Sequence, residues 1–201
     1  VRDDIAGWID FAPTALALAG VPVPPEYDGH VFLPTAVDPP RYAYSFRDCM
    51  DEDCDQVRSV RDSRYRYVLN ATTDRSDAGY VTTAENGPIM KVIRREEAAG
   101  RLDAVQSLFV APTRDKELLF DTQADPWEVT NLAGDPAHAA KLAELREACR
   151  QWIEHCGELG QLDVETLVQR GVIEPRDEKY AERIRARDNP KNRPIRGGER
   201  D

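Results

Sequence analysis

Val57-Arg58-Ser59-Val60-Arg61, Asp62-Ser63-Arg64 and Tyr65-Arg66-Tyr67-Val68-Leu69 make one continuous stretch: two alternating runs around a short polar break. Side chains along a strand point to opposite faces in turn. Val57 and Ser59 therefore oppose Arg58 and Val60, and Tyr65, Tyr67 and Leu69 oppose Arg66 and Val68. Such β-branched and aromatic residues suit a pleated, half-buried surface. The stretch is expected to be an antiparallel hairpin closed by a tight turn.

The flanking sequence supplies the covering layer. Glu117–Phe120 reads as another short strand, and Asp121–Ala133 is turn-rich. Asp135-Pro136 then marks a helix start: the carboxylate accepts from an exposed N–H, and Pro is tolerated at the first helical position. Leu142, Leu145, Cys149, Trp152 and Ile153 recur every three to four residues, giving one apolar stripe, with Trp152 expected in the core. Gly157 and Gly160 end this helix. Upstream, Tyr42–Phe46 is an aromatic strand candidate, whereas Asp48–Asp55 reads as an acidic patch too charged for a buried strand. Residues 71–88 read as loop. Ile89–Arg101 has helical spacing with Gly100 as its stop, Leu102–Val110 continues weakly helical, and Leu162–Val168 is one more short helix.

At the other end, residues 4–20 read as an amphipathic segment whose helix starts at Pro13-Thr14. Ala15, Leu16, Leu18 and Ala19 are expected to pack inward, and Asp10 to cap the segment after it. Val21–Pro40 is Pro-rich loop with a turn at Asp28-Gly29. The first forty residues carry little core of their own. The Ile5–Leu18 face is expected to be exposed, or buried in another chain, if its partner domain is absent.

The 201 residues hold 27 Lys and Arg against 37 Asp and Glu, a net charge of −10. Bulk charge of that sign does not attract nucleic acid or anionic lipid. No apolar run approaches the roughly 20 residues of a membrane helix. Val1-Arg2-Asp3-Asp4 is charged and lacks an initiating Met, as expected of a piece whose beginning, with any targeting signal, lies upstream. Cys49, Cys54, Cys149 and Cys156 lack the two-residue gap of a zinc knuckle and are expected to be free thiols. His30, His138 and His155 have no ligand spacing.

Three stretches together resemble the C-terminal part of sulfatases, members of the alkaline-phosphatase-like superfamily. Ile9-Asp10-Phe11-Ala12-Pro13-Thr14-Ala15-Leu16-Ala17-Leu18-Ala19-Gly20 is similar to that family's Asp-x-Ala-Pro-Thr-x-Leu-x-Leu-Ala-Gly segment. The Arg58–Asn70 hairpin resembles its Arg-x-Val-Arg…Arg-Tyr-Lys-Tyr-Ile-x-Asn stretch. Glu117-Leu118-Leu119-Phe120-Asp121, followed by Asp125-Pro126-Trp127-Glu128-Val129-Thr130-Asn131-Leu132-Ala133, is similar to its Glu-Leu-Tyr-Asp…Asp-Pro-x-Glu-x-x-Asn-Leu-Ala ending. Arg47-Asp48-Cys49-Met50-Asp51-Glu52 resembles an Arg-Asp-Arg-Met-Asp-Glu stretch of bacterial heparan N-sulfatase-like members, with Cys49 in place of Arg.

The resemblance implies an α+β fold: a small antiparallel sheet with a long C-terminal helix packed on it, preceded by a remnant of the larger α/β sulfatase domain. Residues 1–40 would be that remnant, 41–160 the C-terminal subdomain, and 161–201 a short helix and charged tail. The implied activity is hydrolysis of a sulfate ester or sulfamate on a sulfated sugar or aryl sulfate. Calcium and a formylglycine made from Cys or Ser in Cys/Ser-x-Pro-x-Arg would serve it. No Cys or Ser here is followed by x-Pro-x-Arg. The nucleophile and metal ligands are thus expected in a missing N-terminal catalytic portion, leaving this chain inactive alone. The alternative is an independent glycan- or protein-binding module.

The candidate substrate-binding residues are Arg47, Asp48, Asp51 and Glu52. A guanidinium fork pairs with sulfate or uronate, and carboxylates accept from sugar hydroxyls. The competing reading is a solvated acidic loop, or ion pairs to Arg58 and Arg61. Arg58, Arg64 and Arg66 are read as one solvent face of the hairpin, offset by nearby acids. Asp125, Glu128 and Asn131 lack the alternation of a calcium loop and are read as turn caps.

Overall fold

The computed structural model describes residues 5–34, 40–50, 53–157, 162 and 164–171. Its elements are α1 (Phe11–Leu18), β1 (Ala43–Met50), β2 (Asp53–Arg61), β3 (Tyr65–Asn70), α2 (Thr82–Glu85), α3 (Pro88–Ala98), α4 (Ala104–Val110), β4 (Glu117–Asp121), α5 (Ala139–Cys156) and α6 (Val164–Gln169). One four-stranded antiparallel sheet has the order β1-β2-β3-β4. β3 and β4 pair with Tyr67 opposite Leu119 and Val68 opposite Leu118. The chain divides into two compact units. The first takes its residues from Val1–Phe46, Arg58–Leu69 and Glu117–His155, the second from Arg47–Val57, Asn70–Lys116 and Cys156–Asp201.

The hairpin forms where the alternation places it. Asp62 Oδ1 accepts the backbone N–H of Arg64 at 2.8 Å and of Tyr65 at 2.6 Å, so one side chain closes the turn. Val60, Tyr67 and Leu119 then share a face. Against it α5 lays Leu142, Leu145, Ala148, Cys149 and Ile153. Asp135 accepts from the Ala137 N–H at 2.9 Å ahead of α5. Trp152 lies at the margin of this core, stacked on Tyr44 with ring centroids 5.1 Å apart. Cys149 and Cys156 are free, and burial pushes the Cys149 thiol up to about 11.

The Asp125–Asn131 turn is built by its side chains. Asp125 Oδ2 accepts from the Val129 and Thr130 N–H groups, both at 2.8 Å. Asn131 Oδ1 accepts from Leu119 N–H at 3.0 Å, and its Nδ2 donates to Glu117 O at 3.1 Å. Asn131 thereby stands in for a strand partner along β4. Glu128 instead pairs with Arg66 at 2.5 Å.

The N-terminal segment departs from expectation. α1 starts at Phe11 after a 3-10 turn at Trp8–Asp10, so Pro13 sits in its first turn, where its missing N–H has no helical partner. Asp10 does not cap α1 with its side chain. It reaches back to the Gly7 N–H and across to the His30 N–H, both at 2.7 Å. Thr14 Oγ1 accepts from the Phe32 N–H at 3.1 Å. Pro13 and Thr14 are the buried residues of α1, while Ala15, Leu18 and Ala19 are exposed. The side of α1 that packs is the one satisfying the backbone of the His30–Phe32 loop. Its apolar remainder faces out, with Trp8 88% exposed and Phe11, Ile9 and Leu18 over half exposed. That part matches the expected uncovered face.

The acidic patch also folds differently from its reading. β1 runs on through Met50, and β2 begins at Asp53. Charge at Asp48 and Asp55 does not prevent strand formation, because Asp55 is matched by basic side chains from distant segments. In the second unit, α4 is closed by a capping box: Asp103 Oδ1 accepts from Gln106 N–H at 2.8 Å, and Asp103 N–H donates back to Gln106 Oε1 at 3.0 Å. Met90 of α3 and Val110 of α4 are buried, and Ile89 and Val92 are exposed.

Candidate functional site

Asp55 lies in β2 of the second unit with its side chain 1% exposed. An ionised carboxylate withdrawn from water is costly unless it is paired and hydrogen-bonded. Arg114, whose side chain is 5% exposed, supplies the pairing. Its Nη1 donates to Asp55 Oδ2 at 2.9 Å, and its Nη2 to Oδ1. Two parallel donors matching two oxygens are the strong geometry for this pair.

Arg114 is held on all sides. Its Nε donates to Thr72 O at 3.0 Å, its Nη1 also to Asp77 Oδ1 at 3.1 Å, and its backbone N–H to Thr73 O at 3.0 Å. Neighbouring hydrogen bonds, one from the backbone and one from a side chain, bring these segments together. Ala71 N–H donates to Gln56 O at 3.0 Å, and Asn70 Nδ2 donates to Asp115 O at 2.7 Å.

Two further arginines converge on Asp55. Arg47 Nη2 pairs with Asp55 Oδ2, and its Nε donates to Asp55 O at 3.3 Å. Arg75 Nε lies 3.9 Å from Asp55 Oδ1. The side chains of Arg47 and Arg75 are 37% and 22% exposed. One buried carboxylate thus orients the Arg114 and Arg47 guanidinium groups, of which Arg114 is internal, while the Nε of Arg75 is buried nearby without a hydrogen bond to it.

Of the four residues expected to bind substrate, Arg47 and Asp48 fall in β1, while Asp51 and Glu52 lie outside the described residues. Arg47 and Asp48 are consecutive in a strand, so their side chains leave opposite faces. The competing ion pairs to Arg58 and Arg61 are not how Asp55 is matched. Arg58 is buried, on the α5 side shared with Val60, its guanidinium 5.8 Å from the centre of the Phe46 ring. Arg61 donates to Thr122 Oγ1 at 3.3 Å.

The expected solvent face of Arg58, Arg64 and Arg66 is therefore not formed. Strand alternation puts Arg58 in the phase of the core residue Val60. Arg64 is bidentate on Asp121, at 3.0 Å from Nε and 2.6 Å from Nη2 to Oδ2, and Arg66 bonds Ser59 and Glu128. His138 Nδ1 lies 2.9 Å from Asp135, His30 Nδ1 lies 3.7 Å from Asp10, and His155 is exposed. Among the described residues, no group of three His, Cys, Asp or Glu is arranged to hold a metal ion, and no helix is long and apolar enough to cross a membrane.

Sequence reading singled out neither Arg75 nor Arg114. Arg114 meets Asp55 across 59 positions. The nearest thing to a signal was Asp55 itself, an acid in phase with the strand residues Val57 and Ser59.

No protein-family model matches the chain. A protein of Formosa agariphila described as an ulvan-active sulfatase is 33% identical over 171 residues, which cover 83% of this chain and 28% of that protein. A second ulvan-active sulfatase of the same organism is 25% identical over 159 residues, 76% of this chain and 29% of its own length. The chain therefore spans under a third of the length of these curated relatives. Among solved structures, a 2-O glycosaminoglycan sulfatase is similar at 22% identity with a TM-score of 0.48, covering 79% of this chain and 26% of that one.

Proposed function

Since the chain corresponds to the C-terminal part of a sulfatase, we propose that it completes the substrate side of an enzyme hydrolysing sulfate esters or sulfamates of a sulfated sugar. In this reading the calcium ion and the formylglycine belong to the N-terminal catalytic portion. The hydrated formylglycine supplies the attacking oxygen there. This chain supplies no nucleophile, in keeping with the lack of Cys/Ser-x-Pro-x-Arg anywhere in it. Its residues bind and orient.

The observation that carries the reading is Arg47, set by Asp55 with over a third of its side chain in solvent. A guanidinium held in one orientation meets an anionic sugar substituent with little further ordering cost. Asp48, Asp51 and Glu52 enter the same reading as acceptors for sugar hydroxyls.

The test pairs two assays. The 201-residue chain with calcium and an aryl sulfate is expected to give no turnover. Turnover that disappears when one of its four cysteines is replaced would overturn the reading. In the enzyme joined to its N-terminal portion, Arg47→Ala is expected to lower kcat/KM for a sulfated sugar about ten- to a hundredfold, the weight of a charge-assisted bond. A small aryl sulfate, which does not extend to Arg47, is expected to change little. Equal losses for both substrates, or none for either, would remove Arg47 from the substrate set.

A further inference from the structure

The two outer edges of the sheet are treated differently. Along β4, Glu117 O accepts from Asn131 Nδ2 at 3.1 Å, and the Leu119 N–H donates to Asn131 Oδ1 at 3.0 Å. Leu119 O accepts from the Leu132 N–H at 2.8 Å, and Asp121 O from the Asp125 N–H at 2.7 Å. The turn that follows β4 thus closes that edge. β1 is the terminal strand on the other side. Among the described residues, no strand, turn or side chain takes the outward backbone groups of residues 43–46.

Unpaired edge groups are a template for another strand, and proteins blunt them with Pro, Lys, shortness or a cover. Ala43-Tyr44-Ser45-Phe46 holds neither Pro nor Lys, and β1 is eight residues long. Tyr44, Ser45 and Phe46 are consecutive and all exposed, so both faces of the strand are open as well as its edge. Phe46 is 67% exposed, and its ring lies 6.3 Å from that of Trp152, on which Tyr44 stacks. The aromatic row therefore stops at the sheet edge. A strand laid along β1 would run about 4.8 Å away, with alternate side chains beside Tyr44 and Phe46. It would satisfy the backbone row and cover both rings at once. The chemistry that fits is an extended segment with apolar residues at alternate positions.

We propose that the edge formed by residues 43–46 pairs with an extended segment of the N-terminal catalytic portion, joining the two parts of the enzyme through one sheet. This rests on the reading of the chain as the C-terminal part of a longer enzyme. The matched regions are 28% and 29% of the curated relatives' lengths, so most of such an enzyme lies outside them. A segment of the same molecule meets the edge at an effective concentration on the order of millimolar. A second copy has to be collected from solution against a net charge of −10 on each chain.

The experiment compares amide hydrogen exchange at residues 43–46 in the 201-residue chain and in the enzyme joined to its N-terminal portion. Alternate amides of an edge strand face away from its neighbour. The outward ones are expected to exchange fast in the chain alone and about tenfold or more slowly in the whole enzyme. The amides facing β2 are expected to be slow in both. Tyr44→Pro and Ser45→Pro sort the two sides. One removes an N–H facing β2 and destabilises both proteins. The other removes an outward N–H, which an edge strand tolerates. It is expected to leave the chain alone unchanged and to lower the melting temperature of the whole enzyme. The exchange comparison uses the wild type, so it decides the question even where a proline variant does not fold.

Fast outward amides in the whole enzyme would overturn the pairing, as would an outward proline harmless in both proteins. Protection already present in the chain alone, and rising with its concentration, would give the edge to a second copy and overturn the proposal. These readouts involve no substrate, so they are unmoved by failure of Arg47 as a substrate contact, and an unpaired edge leaves Arg47 where it stands.

Discussion

The Tyr67 hydroxyl donates to Glu117 Oε1 at 2.6 Å, a diagonal contact between β3 and β4 on the face that α5 covers. Glu117 in turn takes Arg146 of α5 at 2.6 Å and 2.9 Å. A buried phenol, a carboxylate and a helix arginine thus fasten the long helix to the sheet at the edge of the apolar core.

Tyr67→Phe keeps the ring and removes this bond. The expected cost is about 1.5–3 kcal/mol near neutral pH, the range for a hydrogen bond to a charged group. Burial first, and the Glu117 bond second, push the Tyr67 phenol above its ordinary value. The unfolded chain therefore releases this proton first, near pH ~10. Its contribution is whole below that pH and declines as pH rises. Urea melts from pH 7 to 11 are expected to show wild type and Tyr67→Phe converging on the alkaline side. Parallel curves would show that the phenol is not the group being titrated.

Asp121 gives the opposite limb. The Arg64 guanidinium, then the Ala124 and Gln123 N–H groups, hold its carboxyl at about 2. A depressed folded value means stability that is present above the unfolded value of about 4 and lost as pH falls toward 2. Asp121→Asn is expected to be less stable than wild type at pH 6 and to show a shallower decline between pH 4 and 2. Chemical denaturation across that window checks it, and an unchanged slope would place the acid sensitivity elsewhere.

These contacts also show what the sequence made legible. The Asp62 turn and the Asp135-Pro136 start depend on groups within three residues of one another, so local pattern was enough to place the β2–β3 hairpin and α5. The strand through the acidic patch was not legible. Asp48–Asp55 reads as too charged for a buried strand until Arg114 and Arg47 are known to stand beside Asp55. Arg58 shows the same blindness in reverse. Its charge suggested solvent, whereas its phase with Val60 placed it under α5. For the candidate site, Arg47 came from a motif resemblance, and its orienting carboxylate came only from the fold.

The core and its margin are separable by substitution. Leu145 is fully buried between α5 and the sheet, so Leu145→Ala is expected to cost about 2–5 kcal/mol. Trp152 is only partly buried, and its stacking partner Tyr44 is itself partly exposed. Trp152→Ala is expected to cost less, about 2 kcal/mol, mostly lost area and ring stacking. Denaturant melts of both variants decide the order. A larger loss at Trp152 than at Leu145 would mean the aromatic group, not the aliphatic stripe, anchors the helix.

The last expectation concerns Gly29, where the backbone leaves no room for a side chain. A Cβ there would lie 2.6 Å from the Ile9 carbonyl carbon and 3.0 Å from Asp10 Cα, both main-chain atoms that cannot swing aside. This close approach is what lets Asp10 and Thr14 accept the His30 and Phe32 amides. Gly29→Ala is therefore expected to push the loop off α1, at about 1–3 kcal/mol for forced overpacking. Gly20 is the control. Its φ of +71° strains an alanine, but an added Cβ meets nothing within 4 Å. Gly20→Ala should cost about 1–2 kcal/mol from conformation alone and leave the loop docked. Amide exchange separates the two: His30 and Phe32 should lose protection in Gly29→Ala and keep it in Gly20→Ala, with the β3 and β4 amides unchanged in both. Protection retained at His30 in Gly29→Ala would show that the Asp10 clamp does not depend on the close approach of Gly29 to Ile9.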